Sequence, residues 1–257
     1  MTTATRRYAD LTTAEVTHAL SRDSVLVLPT GAIEPHGPHL PLSTDLVMAE
    51  AVSSEVVDRA AALGHDVWLM PALGYTKSDE HANFPGTMWL EAETVLRTVV
   101  DLGRSIAATP SRRLLFVNCH GGNSALLEVA CRELRRRFDL QTFLYAGGPR
   151  PGPTEKGFGI HAGCAETSMM LYLRPDLVDM TRAASAVPDA ITENTYVGFG
   201  KPVRFGWLSD DFSESGVIGD PTGATADEGK LLFEETVSTV VAAIAEVETF
   251  DPGRVGR

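Results

Sequence analysis

Two rhythms of apolar residues alternate along the chain. The run SVLVLP at 24–29 is continuously apolar and reads as a buried strand, whereas residues 46–63 place Val47, Ala51, Val52, Val56 and Ala60 on one helical face. DVWLMPAL, at 66–73, is the next strand, followed by the glycine-containing loop GYTKSDEHANFPGT. A long helix is expected from 90 to about 108, with Val95, Leu96, Val99, Val100 and Ile106 on its apolar stripe. Then RRLLFVNCHGGN gives a strand and a turn, ALLEVACRELRRRF a helix and LQTFLYA a strand. A further helix is expected to begin near Ala165, and another to run over 237–247, while 187–221 has little periodicity and reads as irregular loops. The βαβα succession predicts an α/β fold, with a mostly parallel sheet flanked by helices on both faces and right-handed crossovers.

Composition narrows the partners. A chain of 257 residues, 44% hydrophobic, can bury a substantial core, and no linker divides it, so residues 1–257 are expected to form a single domain. A net charge of -12 with a pI near 5.0 argues against nucleic acid and against an anionic membrane surface, so a small-molecule or peptide partner is expected. The N-terminus has arginines but no apolar region behind them, and no segment approaches the ~18 continuous apolar residues of a membrane span. Cys119, Cys131 and Cys164 are an odd set without CxxC spacing, so a reducing, cytoplasmic setting is expected rather than a disulfide framework.

Candidate chemistry gathers where the strands end, which in such sheets is where ligands bind. TGAIEPHGPHLPLSTD follows the first strand, and NCHGGN follows LLFV. If the local chain is extended, Glu34 and His36, two apart, share a face and reach one point. Asp45 falls at the start of the following helix, His120 is held by a Gly-Gly turn, and Glu166 stands in the first turn of the helix near Ala165. Two histidines and three carboxylates suit Zn²⁺, Mn²⁺ or Fe²⁺, and exceed what one catalytic zinc needs; a pair of divalent metal ions sharing a carboxylate accounts for the surplus. Taken singly, each of these residues reads more readily as a cap, a turn former or a satisfied core histidine; two glycine-flanked clusters at strand ends bring the metal reading level with that one, and spacing alone goes no further.

GAIEPHGPHLPLSTD, the FPGT of 84–87, NCHGGN and HAGCAETS together resemble the creatininase, or creatinine amidohydrolase, family, in order from about residue 20 to 230. The resemblance implies a dinuclear metallohydrolase that uses metal-activated water to open the amide C–N bond of a small cyclic or formylated compound, and that assembles into hexamers. It implies that Glu34, His36, Asp45 and His120 are metal ligands, with Asp45 bridging, and that His161 is catalytic. One departure stands out, because creatininase carries a glutamate ligand where this chain has Gly122. Glu166 is expected to complete the second metal in its place, which also puts it among the catalytic residues beside His161.

Other residues are assigned by context. His81 either orients substrate or hydrogen-bonds its loop, Glu80 reads as solvated, and His39 as part of a structural turn. Asn118 and Asn123 are expected to brace the His120 turn. Trp207 and Phe205 either line a substrate pocket or pack in a core, and Cys119 is expected to point away from its neighbour His120. Three alternatives to a small cyclic or formylated amide remain: a mycofactocin-type peptidase releasing a terminal piece of a precursor peptide, a ring-opening hydrolase for a cyclic ketone or lactone, and a non-catalytic metal-binding scaffold.

Overall fold

A computed structural model of the chain describes residues 6–147 and 151–253. In order, α1 is Thr13–Ala19, β1 Val25–Thr30, α2 Thr44–Ala62, β2 Val67–Leu69, α3 Ala92–Ala107, β3 Arg113–Asn118, α4 Ser124–Phe138, β4 Gln141–Tyr145, α5 Cys164–Leu173, α6 Asp189–Thr192 and α7 Ala226–Thr249. The strands form one parallel sheet in the order β2-β1-β3-β4. β1 and β3 are central and buried along their whole length, which is why both read as unbroken apolar runs rather than alternating ones.

Alternate residues of these strands feed two cores. Val25, Val27, Leu115 and Val117 pack with Val52 and Val56 of α2, Met170 of α5 and Phe233, Val237 and Ile244 of α7. Leu26, Leu28, Leu114 and Phe116 point the other way, onto Val95 and Val99 of α3 and Leu127 and Leu134 of α4. The α/β architecture with helices on both faces is therefore the one the sequence predicts.

The differences lie at element ends. β2 is shorter than the apolar run suggests, because Pro71 has no N–H for the ladder; pairing with β1 returns only at Leu73, whose N–H donates to the Pro29 carbonyl at 3.0 Å. The last helix starts eleven residues earlier than its apolar stripe implies, at Ala226 rather than 237. Thr225 caps it, accepting from the Glu228 N–H at 3.2 Å, and its first half packs on α5. Helix α1, capped by a reciprocal Thr12–Glu15 box, was not expected. Residues 187–221 are largely irregular, as expected, apart from the one-turn helix α6, short 3₁₀ turns and isolated bridges. Among the described residues, no helix is long and apolar enough to cross a membrane.

α5 and α7 meet at Gly229, where an added Cβ would overlap the Ser168 backbone carbonyl. Gly229→Ala, which would stabilise an exposed helix by about 1 kcal/mol, is expected here to destabilise the protein. A lower urea midpoint than wild type is the expected result, and a higher one would contradict this packing.

Candidate metal centre

The sheet delivers the candidate residues to its carboxyl edge. Beyond Thr30 the chain leaves β1 as an irregular loop bearing Glu34 and His36, and Gly37, with φ +70°, lets it reverse before entering α2. Asp45 is then the second residue of α2, where exposed N–H groups favour a carboxylate. β1 and β3 are in register with Thr30 opposite Asn118, so His120 emerges beside this loop. The Asn118 side chain donates to the His120 carbonyl at 2.7 Å and that of Asn123 to the Gly31 carbonyl at 3.2 Å, so both asparagines brace the turn. His161 is fixed by reciprocal backbone hydrogen bonds with Ile218, and Glu166 lies in the first turn of α5. Between them Ala162 adopts a left-handed φ of 50°, and its N–H donates to Glu166 Oε2 at 2.6 Å.

These segments bring Glu34, His36, Asp45, His120, His161 and Glu166 into one buried cluster. The two oxygens of Asp45 face different histidines: Oδ1 lies 3.1 Å from His36 Nε2 and Oδ2 lies 3.0 Å from His120 Nδ1. Glu34 Oε1 is 3.3 Å from His120 Nδ1 and 3.6 Å from His161 Nδ1, and Glu166 Oε2 is 3.9 Å from His36 Nε2. Three overlapping trios result, Glu34–Asp45–His120, His36–Asp45–Glu166 and Glu34–His36–His161, each with ligand atoms within 4.8 Å of one another.

Backbone carbonyls fix which ring nitrogen faces inward. A carbonyl only accepts, so the nitrogen against it must carry the proton. His36 Nδ1 donates to the Glu34 carbonyl at 3.1 Å, His120 Nε2 to that of Lys77 at 2.8 Å, and His161 Nε2 to that of Pro35 at 2.6 Å. The other nitrogen of each ring faces carboxylates, and a lone pair against carboxylate oxygens is repulsive unless a proton or a cation lies between them. Glu34 Oε1 and Asp45 Oδ2 are buried and, among the described residues, accept no hydrogen bond. The donor set, the fixed tautomers and these orphaned oxygens fit divalent cations.

The same crowding shifts the ionisations. Burial acts to lower the pKa of His36, but Asp45, with Glu166 and Glu34, raises it to about 9. His120 is likewise held well above its ordinary value, burial being outweighed by Glu34 and Asp45. Burial opposes ionisation of Asp45, yet His36 and His120 hold its carboxyl far below the usual range. Glu166 is pushed up to about 7, by burial first and then by the negative charge of Asp45, with His36 opposing. His161 is pushed well below its ordinary value by burial and by its imidazole neighbours His36 and His81.

His81 joins from the other side. Its ring packs against that of His161 with centroids 4.2 Å apart and planes tilted by 39°, the same spacing and tilt that His36 shows to His161. Its Nε2 lies 3.4 Å from Glu34 Oε1 and its Nδ1 2.9 Å from Ser209 Oγ. Trp207 does not enter the cluster; it packs with Phe199 and Phe212 in a group of rings that includes Phe205, and Ser209, two residues on, ties that group to His81. His39 stands apart, bonded through Nε2 to Thr167 Oγ1 at 2.9 Å. Cys119 turns towards the α2 and α7 core, and burial, with Asp45 and Glu166 nearby, pushes its thiol up to about 12. A cavity of about 210 Å³ reaches the cluster, lined by His120, Gly121, Gly159, Ile160 and Glu166.

Two glutamates were misread or missed. Glu80, expected in solvent, is only 8% exposed and lies behind His120. Glu155 is fully buried, and its carboxylate accepts from the N–H groups of Gly152, Cys164 (2.9 Å) and Asp220 (2.8 Å). A Cβ at Gly159, Gly163 or Gly219 would overlap that carboxylate, so these glycines were the available signal. Glu155 thus ties the His161 loop to the start of α5. Glu155→Gln replaces an accepting oxygen with an NH₂ facing N–H donors, and is expected to cost about 1–3 kcal/mol in urea unfolding.

The creatininase family profile, described as creatinine amidohydrolase, matches residues 9–244. The chain is 38% identical over 227 residues to the mycofactocin precursor peptide peptidase of Mycobacterium tuberculosis, covering 86% of this chain and 84% of that one. It is 33% identical over 247 residues to the creatinine amidohydrolase of Pseudomonas putida, covering 87% and 90%. Among solved structures, creatininase with manganese superimposes with a TM-score of 0.74 at 29% identity, over 94% of this chain and 98% of that one.

Proposed function

Because the chain belongs to the creatininase family, we propose that it is a metal-dependent hydrolase that cleaves an amide C–N bond at a centre of two divalent cations. The observation that carries this reading is Asp45, whose two oxygens face histidines from different trios. Glu34, Asp45 and His120 would hold one cation, and His36, Asp45 and Glu166 the other, so that Glu166 provides the acid absent at Gly122. Cations held there supply a Lewis acid for the amide carbonyl and acidify a water at neutral pH. Zn²⁺, Mn²⁺ and Fe²⁺ all suit mixed imidazole and carboxylate donors.

The protein's own groups then manage orientation and protons. His161 is held by the Pro35 carbonyl through Nε2, which leaves Nδ1 as the atom able to take a proton. Burial keeps the ring neutral, as a base must be before it acts. His161 takes a proton from the attacking water and delivers it to the departing nitrogen, since an amide anion leaves poorly. His81, its ring packed against that of His161, keeps the ring in that orientation.

Two substrate classes follow from the relatives. A small cyclic or formylated amide suits a cavity of this size, whereas Gly121, with nothing within 4 Å of where its Cβ would stand, leaves open space beside the cluster for the end of a peptide. That opening, with the 38% identity to a precursor peptide peptidase, favours the peptide as the second reading. A hydrolysis screen of the metal-loaded protein on creatinine, N-formyl amines, lactones and short peptides separates them. Since disturbing a group behind a ligand already costs 10–100-fold, His120→Ala and Asp45→Asn are each expected to lower kcat/KM by more than about 100-fold on whichever substrate turns over. Full activity of either variant after metal loading would refute the assignment.

A further inference from the structure

Behind His120, at the ring nitrogen turned away from the cluster, lies an arrangement that the hydrolytic reading does not use. The 3₁₀ turn Asp79–His81 sends His81 towards Glu34 and Glu80 under His120. Glu80 Oε1 is 3.4 Å from His120 Nε2, whose proton already points to the Lys77 carbonyl at 2.8 Å. The other oxygen, Oε2, is held by Lys77 Nζ at 2.6 Å, and that ammonium also reaches Asp79 Oδ1 at 2.7 Å. A carboxylate only 8% exposed is thus placed beside an imidazole N–H and anchored on its far side. Gly122 is what makes room, because a Cβ there would overlap both Glu80 Oε1 and His120 Nε2.

We propose that Glu80 and Gly122 form a matched pair that positions His120: the glycine admits the Glu80 carboxylate, and the carboxylate, with the Lys77 carbonyl, holds the ring so that Nδ1 faces Asp45 and Glu34. The inference rests on the reading of His120 as a cation ligand. Its physical basis is general, since a carboxylate at the outer N–H of a ligating imidazole fixes the tautomer and makes the inner nitrogen a better donor. Glu80 is then a positioning residue that touches neither substrate nor cation. The Gly122 that removes an acid from one side of His120 opens the place for a different acid behind it.

The test is metal affinity rather than turnover. The full chain, stripped with a chelator, is titrated with Zn²⁺ and separately with Mn²⁺ against a chromophoric competitor, for wild type, Glu80→Ala, Glu80→Gln, Gly122→Ala and His120→Ala. Glu80→Ala is expected to weaken the tighter or the weaker of the two sites by about 10–100-fold, and Glu80→Gln, which keeps the shape and one acceptor, by less. Gly122→Ala is expected to weaken binding as well, because the new methyl displaces Glu80 or tilts His120. Thermal unfolding of the metal-free variants separates positioning from folding: the metal-free midpoint of Glu80→Gln should stay near wild type while its metal-loaded midpoint falls. Wild-type affinity in both Glu80 variants, with His120→Ala impaired, would overturn the pairing and leave the cation site standing. Wild-type affinity in His120→Ala would overturn the cation reading and the pairing together.

Discussion

Everything at the carboxyl edge of the sheet depends on one constraint, the burial of mutually close carboxylates and imidazoles that cannot be left unpaired. A lone carboxylate or imidazolium in such a place costs several kcal/mol, so the groups are tolerable only if each oxygen and ring nitrogen meets a complementary charge. Asp45 turns Oδ1 towards His36 and Oδ2 towards His120, so that a proton or cation on either side meets one of its oxygens. It does so from the first turn of α2, where the N–H groups add favourable field, and Glu166 repeats the device from the first turn of α5. Two helices thus begin at the cluster and two central strands end there, and the apolar packing of both cores serves to hold those four ends together.

The surrounding chain answers a second demand, that the rings point one way only. Carbonyls of Glu34, Pro35 and Lys77 each take the outward proton of a histidine. These acceptors belong to the main chain, so the course of the backbone sets the tautomers, joined at His120 by the Glu80 carboxylate 3.4 Å from the same nitrogen. That course is pinned by contacts some distance from the cluster: Asn118 and Asn123 at the β3 turn, and Glu155 gathering three N–H groups before α5. Irregular backbone here is as fixed as the sheet.

The sequence disclosed this arrangement unevenly, for physical reasons. β1, β3, α2, α3 and α4 were legible because burial on both faces, or on one stripe, leaves an apolar period. The first half of α7 was not, since Asp227, Glu228, Lys230, Glu234 and Glu235 dilute its stripe and only the Thr225 cap marks its start. Glu34, His36, Asp45, His120 and Glu166 stood out because metal-binding residue types lay beside glycines at predicted element ends. Glu80 looked solvated because its sequence neighbours, Lys77, Ser78 and Asp79, are polar; it is buried where the His120–Gly122 turn, some forty residues on, packs against it. Trp207 left both a pocket and a core open, because an aromatic in an irregular loop carries no periodicity to place it; its indole packs with Phe199 and Phe212.

The contact between Gly229 and Ser168 carries a consequence for how this chain can change over time. Ser168 lies two residues beyond Glu166 on α5, and its hydroxyl also accepts from the Thr225 N–H at 3.1 Å. A larger residue on α7 can be accommodated only by sliding α5, and any such slide carries the Glu166 carboxylate with it. Mutational drift on the outer helix is therefore restrained by the cluster it never touches, and compensating changes should arise in pairs across the two helices.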